Sequence, residues 1–464
     1  MGFIDELAAA VGPALRTDRA ELDRVRTDRS GWTTPEEPAA VVRARSAEDV
    51  QAVLRLATAH RVPVVPRGAG TGLAGGAVGS AGSVVLDLSG MDRVLAVDEE
   101  NETAVVQPGV VTDALAAALA PHRLWWPPDP ASRAISTVGG NIATNAGGLL
   151  CAKYGVTRES VLGLQVVLAD GTLVRLGRGT VKGVTGFDLT ALLIGSEGTL
   201  GVVVEATLKL RRTSTDPVVT IGATFPDVHA AAAAAAAITA SGLRCAALEI
   251  MDAATCAAID ALVAAGEGPG GDVPALAGRG AFLLLQTDGG AAPEEAAAAM
   301  ALVEAAGGEG SVAKDPETAA ALVALRRSAH PAYAKLGEVL IEDVCVPRSA
   351  LPAMFDAVAD IAERHGLPIP VLAHAGDGNL HPNIVIPPSV PHAPGEIPEV
   401  VWAAGEELFR AAIALGGTLT GEHGVGVLKR RWIEEELGED VMALSRRVKA
   451  AFDPLGILNP GKVW

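Results

Sequence analysis

The sequence predicts an α+β protein built from two main domains, and three observations carry that expectation. Its 464 residues are more than one hydrophobic core usually organises. The first half alternates short β-branched runs with glycine-rich stretches, whereas the second half alternates strands with long Ala-rich helices. Between them, Arg211-Arg212-Thr213-Ser214-Thr215-Asp216-Pro217 is polar and turn-forming. The expected partition is a helical segment over 1–35, a first domain over 36–213 and a second over 214–464.

The elements follow in order. After the irregular Asp28-Arg29-Ser30-Gly31-Trp32, a strand is expected over 40–43. Ser46-Ala47-Glu48-Asp49 then sets a capping hydroxyl ahead of acidic residues, the signature of a helix start. Val50, Val53, Leu54, Leu56 and Ala57 recur behind it at helical spacing. Strands are predicted at 62–65, 84–88, 93–97 and 103–106, and a helix over 111–120. From 125 to 148 Gly, Pro, Asn and Ser dominate, before strands at 163–168, 173–175 and 202–210.

Beyond the boundary, helices over 227–241, 254–264 and 293–306 alternate with strands over 219–225, 246–250 and 280–286. A Gly/Pro loop over 266–277, a strand over 369–373 and helices over 400–414 and 430–452 complete the chain. Such alternation suggests a sheet with its helices on one face.

Composition narrows the function. Hydrophobic residues at 49% and charged residues at 20% describe a packed globular chain, and 3% aromatics leave Ala, Val and Leu to fill its core. A formal charge of -18 argues against a nucleic-acid backbone or an anionic membrane as the main partner. Cys151, Cys245, Cys256 and Cys345 form no C-x-x-C pair, so neither a cysteine-ligated cluster nor a disulfide framework is expected. The acidic start Met1-Gly2-Phe3-Ile4-Asp5-Glu6 lacks the features of a secretory signal, and the alanine run 230–237 is too short and too weakly apolar to span a bilayer. The expected compartment is the cytoplasm, or the inner face of the membrane as a peripheral protein.

Three glycine clusters carry the first chemical signal. Pro66-Arg67-Gly68-Ala69-Gly70-Thr71-Gly72-Leu73-Ala74-Gly75-Gly76 follows a β-branched strand, and closely spaced glycines can turn several N–H groups inward to cradle an anion. The literal G-x-G-x-x-G match within it lacks the helix that a Rossmann loop opens, because 78–83 leads straight into another strand. Ser136-Thr137-Val138-Gly139-Gly140-Asn141-Ile142-Ala143-Thr144-Asn145-Ala146-Gly147-Gly148 and Gly195-Ser196-Glu197-Gly198-Thr199-Leu200-Gly201 repeat the pattern. One such loop is as readily a simple turn; three in one domain point to a large phosphate-bearing cofactor.

In this order, with Pro127-Pro128-Asp129-Pro130 and Lys153-Tyr154-Gly155 between, the motifs resemble the FAD-binding domain of the vanillyl-alcohol oxidase superfamily. Within it the chain is most similar to the FAD-linked D-2-hydroxy-acid dehydrogenases: D-lactate dehydrogenases, glycolate oxidase flavin subunits and D-2-hydroxyglutarate dehydrogenases. The resemblance runs from about Asp28 to Trp464. It implies a two-subdomain FAD-binding domain followed by an α+β substrate domain with an antiparallel sheet and C-terminal helices. The FAD pyrophosphate would lie on the amides from Arg67 to Gly72, beside Pro66, Gly68, Ala69, Gly70 and Thr71. Pro108, Gly109, Asp129, Ser136, Gly139, Gly140, Ala143, Thr144, Ala146, Gly147, Tyr154, Glu197, Gly198, Gly201 and Val202 would embrace the rest, and Asn459 would return to the flavin with the closing Leu458-Asn459-Pro460-Gly461-Lys462 segment. Ala69 and its neighbours offer no imidazole for a covalent link, so noncovalent FAD is expected.

The second half concentrates ligands in His374-Ala375-Gly376-Asp377-Gly378-Asn379-Leu380-His381-Pro382-Asn383 and Gly421-Glu422-His423-Gly424-Val425-Gly426. A lone histidine usually satisfies a turn, but two Gly-rich segments of this kind suit a three-ligand site for Zn²⁺ or a similar divalent ion. The residues alone do not separate Glu422 from Asp377, or His423 from the other two histidines. The resemblance assigns His374, His381 and Glu422 as metal ligands, His423 as the base, Arg326 as a fork on the substrate carboxylate, and Asn383 as a substrate residue. Where hydroxyglutarate enzymes carry a lysine, this chain has Ile341, which favours a D-lactate-like or glycolate-like substrate over a dicarboxylate.

The expected reaction is hydride transfer from a small D-2-hydroxy acid to FAD, with the hydroxyl polarised by the metal and deprotonated by His423. Electrons would pass to a separate acceptor: a quinone, a cytochrome, a transfer flavoprotein or an iron–sulfur subunit. A homodimer is among the expected assemblies. Competing readings are a metallohydrolase whose glycine-rich half binds a nucleotide, and a noncatalytic flavin subunit of a larger complex.

Overall fold

The computed structural model describes residues 2–269, 274–276, 278–393 and 395–464, so the expected loop over 266–277 lies partly outside the described residues. The chain forms two compact units. One comprises Met1–Gly147, Gly155–Thr213 and Glu422–Trp464; the other comprises Gly148–Tyr154 and Ser214–Gly421.

In the first unit, a four-stranded sheet runs in the order Leu15–Arg16, Ala40–Arg43, Val84–Asp87, Val64–Arg67, with the last three parallel. The helix Ala47–His60 starts as its sequence predicts. Ser46 Oγ accepts from Asp49 N at 3.2 Å, and Asp49 Oδ2 accepts in return from Arg45 N at 2.9 Å. Its Val50, Val53, Leu54 and Ala57 join Val42, Val64, Val84 and Leu86 in one core. Each fully buried Leu or Val there is worth about 1.5–3 kcal/mol.

A second, antiparallel sheet follows the order Val94–Asp98, Thr103–Val106, Val202–Lys209, Val161–Val167, Leu173–Gly177. Residues 422–464, given to the second domain by the sequence reading, group with this unit by their contacts. Val64 N donates to Ile457 O and Asn459 N to Val64 O, both at 2.8 Å. That segment thus runs as a parallel neighbour of the Val64–Arg67 strand.

The second unit is built on a sheet in the order Glu309–Val312, Val218–Phe225, Ala281–Asp288, Ala247–Asp252, Val371–His374, Asn379–Ile386, Glu338–Ile341, with Val344–Cys345 also paired to Asn379–Ile386. Every pairing is antiparallel. Its helices lie on both faces, where one face was expected. Phe282 and Leu284 pack with Ile259, Leu322 and Leu325 of the helices Ala253–Ala264 and Pro316–Arg327. The alternate residues Leu283 and Leu285 are equally buried, and the helices Val228–Ala240 and Ala292–Ala305 pack on the same strands. The physical reason stood in the strands themselves: Ala281–Leu285 is apolar at consecutive positions, the pattern of a strand covered twice.

Candidate active site

The glycine-rich loop leaves the Val64–Arg67 strand with Gly70 and Gly75 at φ 71° and 76°, a region glycine enters without strain. Among the described residues, no amide from Gly68 to Gly76 donates to a protein acceptor. A run of uncommitted donors fits a phosphate-bearing group. Arg67 supports the loop from beneath. Its Nη1 donates to Thr27 O at 2.9 Å and Ala77 O at 2.8 Å, and a Cβ on Gly70 would sit 2.2 Å from Nη2. Burial pushes the Arg67 guanidinium below its usual value, partly offset by Asp28.

The second cluster contains a short helix, Val138–Thr144, where the composition had shown mainly loop formers. Thr137 Oγ1 accepts from Gly140 N at 3.2 Å. Gly139 N donates to Pro108 O at 2.8 Å, an approach so close that a Cβ would meet Pro108 at 2.5 Å. Gly109 N donates to Met91 O, and the Ser136 hydroxyl lies 3.3 Å from Thr112 Oγ1. Thr144 Oγ1 donates to Gly140 O, and Ala146 O accepts from Thr157. Asp129 is buried and Gly147 closes the segment. Tyr154 lies in the other unit, where its hydroxyl donates to Asp288 at 2.5 Å.

Glu197 begins the turn after the third cluster's Gly195-Ser196, and its carboxylate is spent on the protein. Oε1 accepts from Val425 N at 2.8 Å and Oε2 from Gly426 N at 2.9 Å. Its N–H donates to Ala143 O, and its carbonyl accepts from Asn459 Nδ2 at 2.7 Å. Burial pushes the Glu197 carboxyl up, opposed by the two amides and by Lys429 and Lys462. Gly198 at φ 72° follows, Gly201 packs on Val166, and Val202 starts its strand. Asn459 also donates to Gly76 O at 3.1 Å and accepts from Lys462 at 2.9 Å.

In the second unit, strand register brings the two candidate histidine ligands together. His374 pairs with Asn379 and with Glu249, His381 with Leu372, and Asn383 with Ile341. Alternation along the strands therefore sets Glu249, His374, His381, Asn383 and Ile341 on one sheet face. The same face carries Met251 and Leu372 beneath the helix Pro316–Arg327, whose last turn supplies Arg326. The hairpin needs glycine at Gly378, with φ 91° and a Cβ position 2.1 Å from Val346 O.

Glu249, which the sequence reading did not single out, is the hub of this face. Only 1% exposed, it accepts from Arg326 Nε at 2.8 Å through Oε2, with Nη2 ion-paired to the same oxygen at 2.7 Å, and meets His374 Nδ1 at 2.7 Å through Oε1. Burial alone would raise its carboxyl; the charges of and bonds from His374 and Arg326 outweigh that and hold it below the ordinary glutamate value. With Nδ1 facing a carboxylate, a neutral His374 ring would carry its proton on Nδ1 and leave Nε2 open to a cation. The His374 and His381 rings stand 5.2 Å apart, edge to face. One ligand atom each of His374, His381 and Glu422 lies within 4.8 Å of the others. Two imidazoles and a carboxylate, one imidazole held by a buried acid, fit a divalent cation of the zinc type.

Glu422 and His423 are half-buried. Just before them, Thr420 Oγ1 donates to Asp343 Oδ1 at 3.0 Å and Gly421 N to Asp343 Oδ2 at 2.5 Å. Asn383 is fully buried; its Nδ2 donates to His381 O at 2.7 Å, and its Oδ1 has no hydrogen-bond partner among the described residues.

Known proteins resemble this chain in sequence and in fold. A family model described as the C-terminal domain of FAD linked oxidases matches residues 215–463, and one described as an FAD binding domain matches 38–177. The glycolate oxidase subunit GlcD of Bacillus subtilis is 42% identical over 92% of this chain and 89% of its own length. The mitochondrial D-lactate dehydrogenase [cytochrome] of Arabidopsis thaliana is 34% identical over 92% of this chain and 73% of its own. The D-2-hydroxyglutarate dehydrogenase of Stutzerimonas stutzeri is 34% identical over 100% and 98%. Among solved structures, 4-ethylphenol oxidase from Gulosibacter chungangensis superimposes with a TM-score of 0.76 at 20% identity, covering 99% of this chain and 96% of that one, a likeness of fold.

Proposed function

The chain belongs to the family of FAD-linked oxidases, and from that premise we propose that it oxidises a small D-2-hydroxy acid, glycolate-like or D-lactate-like, to the 2-oxo acid. The observation that carries this reading is one carboxylate, Glu249, joining a buried arginine to a histidine that belongs to a three-ligand cluster. An anionic substrate with a hydroxyl beside its carboxylate needs a cation and a hydroxyl-binding group side by side.

Arg326 supplies the cation. Because Nε and Nη2 face Glu249, the substrate carboxylate is left Nη1 and the outer edge of the guanidinium instead of the Nε–Nη2 fork. His423 takes the hydroxyl proton, a task for which an imidazole titrating near neutrality is suited and which is typically worth roughly a hundred- to ten-thousand-fold in rate. Bound FAD would supply the hydride acceptor, and a divalent ion held by His374, His381 and Glu422, Zn²⁺ in our reading, a Lewis acid toward the substrate hydroxyl. The uncommitted amides from Gly68 to Gly72 would hold the FAD pyrophosphate without a covalent link. Asn383, buried beside Ile341, would shape the substrate end, and the absence of a cation at Ile341 favours a monocarboxylate.

Electrons leave to a separate acceptor, a quinone, cytochrome, transfer flavoprotein or iron–sulfur subunit. No helix of the described residues is long and apolar enough to cross a membrane; we place the protein in the cytoplasm or peripherally at the inner membrane face. The test is anaerobic mixing of the flavin-loaded protein with D- and L-2-hydroxy acids, before and after chelation. A small D-2-hydroxy acid bleaches the flavin, and chelation slows the bleaching. If no hydroxy acid bleaches it, the substrate reading fails; if chelation changes nothing, the metal role fails.

A further inference from the structure

In each unit a buried carboxylate bonds to the backbone next to Glu422 and His423. Within the first unit, Glu197 takes the amides of Val425 and Gly426, one on each oxygen, and is itself fixed through Ala143 O and Asn459 Nδ2. The same backbone is bound to the glycine-rich loop: Val427 N donates to Ala74 O at 2.9 Å, and a Cβ on Gly426 would stand 2.0 Å from Ala74 O. Within the second unit, Asp343, fully buried, takes Thr420 Oγ1 and Gly421 N. Only Glu422, His423 and Gly424 lie between the two clamped stretches.

Hydrogen bonds to charged acceptors are about twice as strong as neutral ones, and a buried carboxylate with two donors is costly to leave half satisfied. A short segment held by such bonds on both sides has little freedom to wander. The arrangement is also strained where it would otherwise be relaxed: Glu197 sits at φ 50°, a conformation that non-glycine residues rarely take and that the surrounding bonds impose. A side chain that merely capped its own turn would not need two oxygens aimed at a segment more than two hundred residues away in sequence.

We infer that Glu197 and Asp343 are positioning residues for the reaction: they clamp the backbone on either side of Glu422 and His423, so that the base and the carboxylate ligand are presented in one fixed geometry. The inference rests on the hydroxy-acid oxidation proposed above. It assigns the glutamate of the G-S-E-G-T-L-G motif a duty distinct from holding the cofactor. Misplacing a reacting group by about 1 Å can cost on the order of a hundred-fold in rate.

Glu197→Gln keeps one acceptor but turns an NH₂ toward the other amide. In hydrogen exchange of the flavin-loaded protein, residues 424–427 then exchange roughly 10- to 100-fold faster than in the parent, while the strands 84–87 and 247–252 keep their protection. At saturating divalent metal, kcat per bound flavin falls roughly 10- to 100-fold for the hydroxy acid, with KM within about twofold. Asp343→Asn, outside the glycine-rich unit, produces the same kcat loss from the other end and loosens 420–421. A Glu197→Gln protein that fails to fold leaves the decision to Asp343→Asn. If exchange of these residues and kcat both stay within about twofold of the parent, the clamp is refuted. Should no hydroxy acid reduce the parent's flavin, the functional reading falls, and exchange alone still decides the clamp.

Discussion

Glu249 shows how one side chain can govern two. Its oxygens divide between Arg326 and His374, so a change of charge there disturbs both groups without touching either. In Glu249→Gln the amide nitrogen must face one partner. Toward Arg326 it opposes a donor; toward His374 it donates to Nδ1 and drives the ring proton to Nε2, the ligating position. We predict a loss of Zn²⁺ affinity of roughly 10- to 100-fold, read by competition with a chromogenic chelator, with FAD content unchanged. An unaltered affinity would remove Glu249 from the metal's support. The histidines and Glu422 were legible in the sequence because glycine-rich surroundings set them apart. Glu249 was not: inside Ala-Leu-Glu-Ile-Met a single acid reads as a solvent-facing strand residue, and only the cross-strand register with His374 shows what it meets.

At the scale of elements, boundaries set by caps and β-branched runs were readable, whereas the two-sided burial of the second unit's sheet, the helix Leu351–His365 and the strand Asn379–Ile386 were passed over. Alanine carries much of that burial. The helix Val228–Ala240 presents Ala231, Ala232, Ala234, Ala235 and Ile238 to its neighbours, side chains too small to anchor it strongly. Its N-terminal cap therefore matters: Asp227 Oδ1 accepts from Ala230 N at 2.8 Å. Asp227→Ala is expected to cost about 1 kcal/mol, measured as a shift in the urea midpoint at unchanged slope. No shift would mean that tertiary packing alone holds this end. The 138–144 helix escaped composition for a related reason: Gly139 and Gly140 are poor helix formers, kept helical by the Thr137 cap and the contact with Pro108.

For the molecule as a whole, charge and pH meet at Lys462. Burial pushes this ammonium down to about 7, with Asp28 and Glu197 raising it and Arg67 lowering it. In the unfolded chain the group returns to its ordinary value of 10.5. A depressed folded value makes a contribution to stability that is complete above the unfolded value and is lost as pH falls through about 7. Stability should thus rise from pH 7 toward 9, by at most about 1.4 kcal/mol per pH unit from this group. Lys462→Met should flatten that rise in denaturant titrations at several pH values; an identical slope in the variant would assign it elsewhere. Such long-range partnerships could not be read from sequence, because nothing in Leu458-Asn459-Pro460-Gly461-Lys462 specifies Val78 or Gly76 as acceptors.

The pairing of Val64 with Ile457 and Asn459 has a temporal side. On the ribosome, the edge of the Val64–Arg67 strand emerges long before the stretch that covers it, with an interval on the order of tens of seconds at ordinary elongation rates. Through that interval the nascent chain carries an open strand edge beside the glycine-rich loop. An unpaired edge of this kind is a template for wrong pairing, so the early half is the aggregation-prone part of the chain until translation is nearly done.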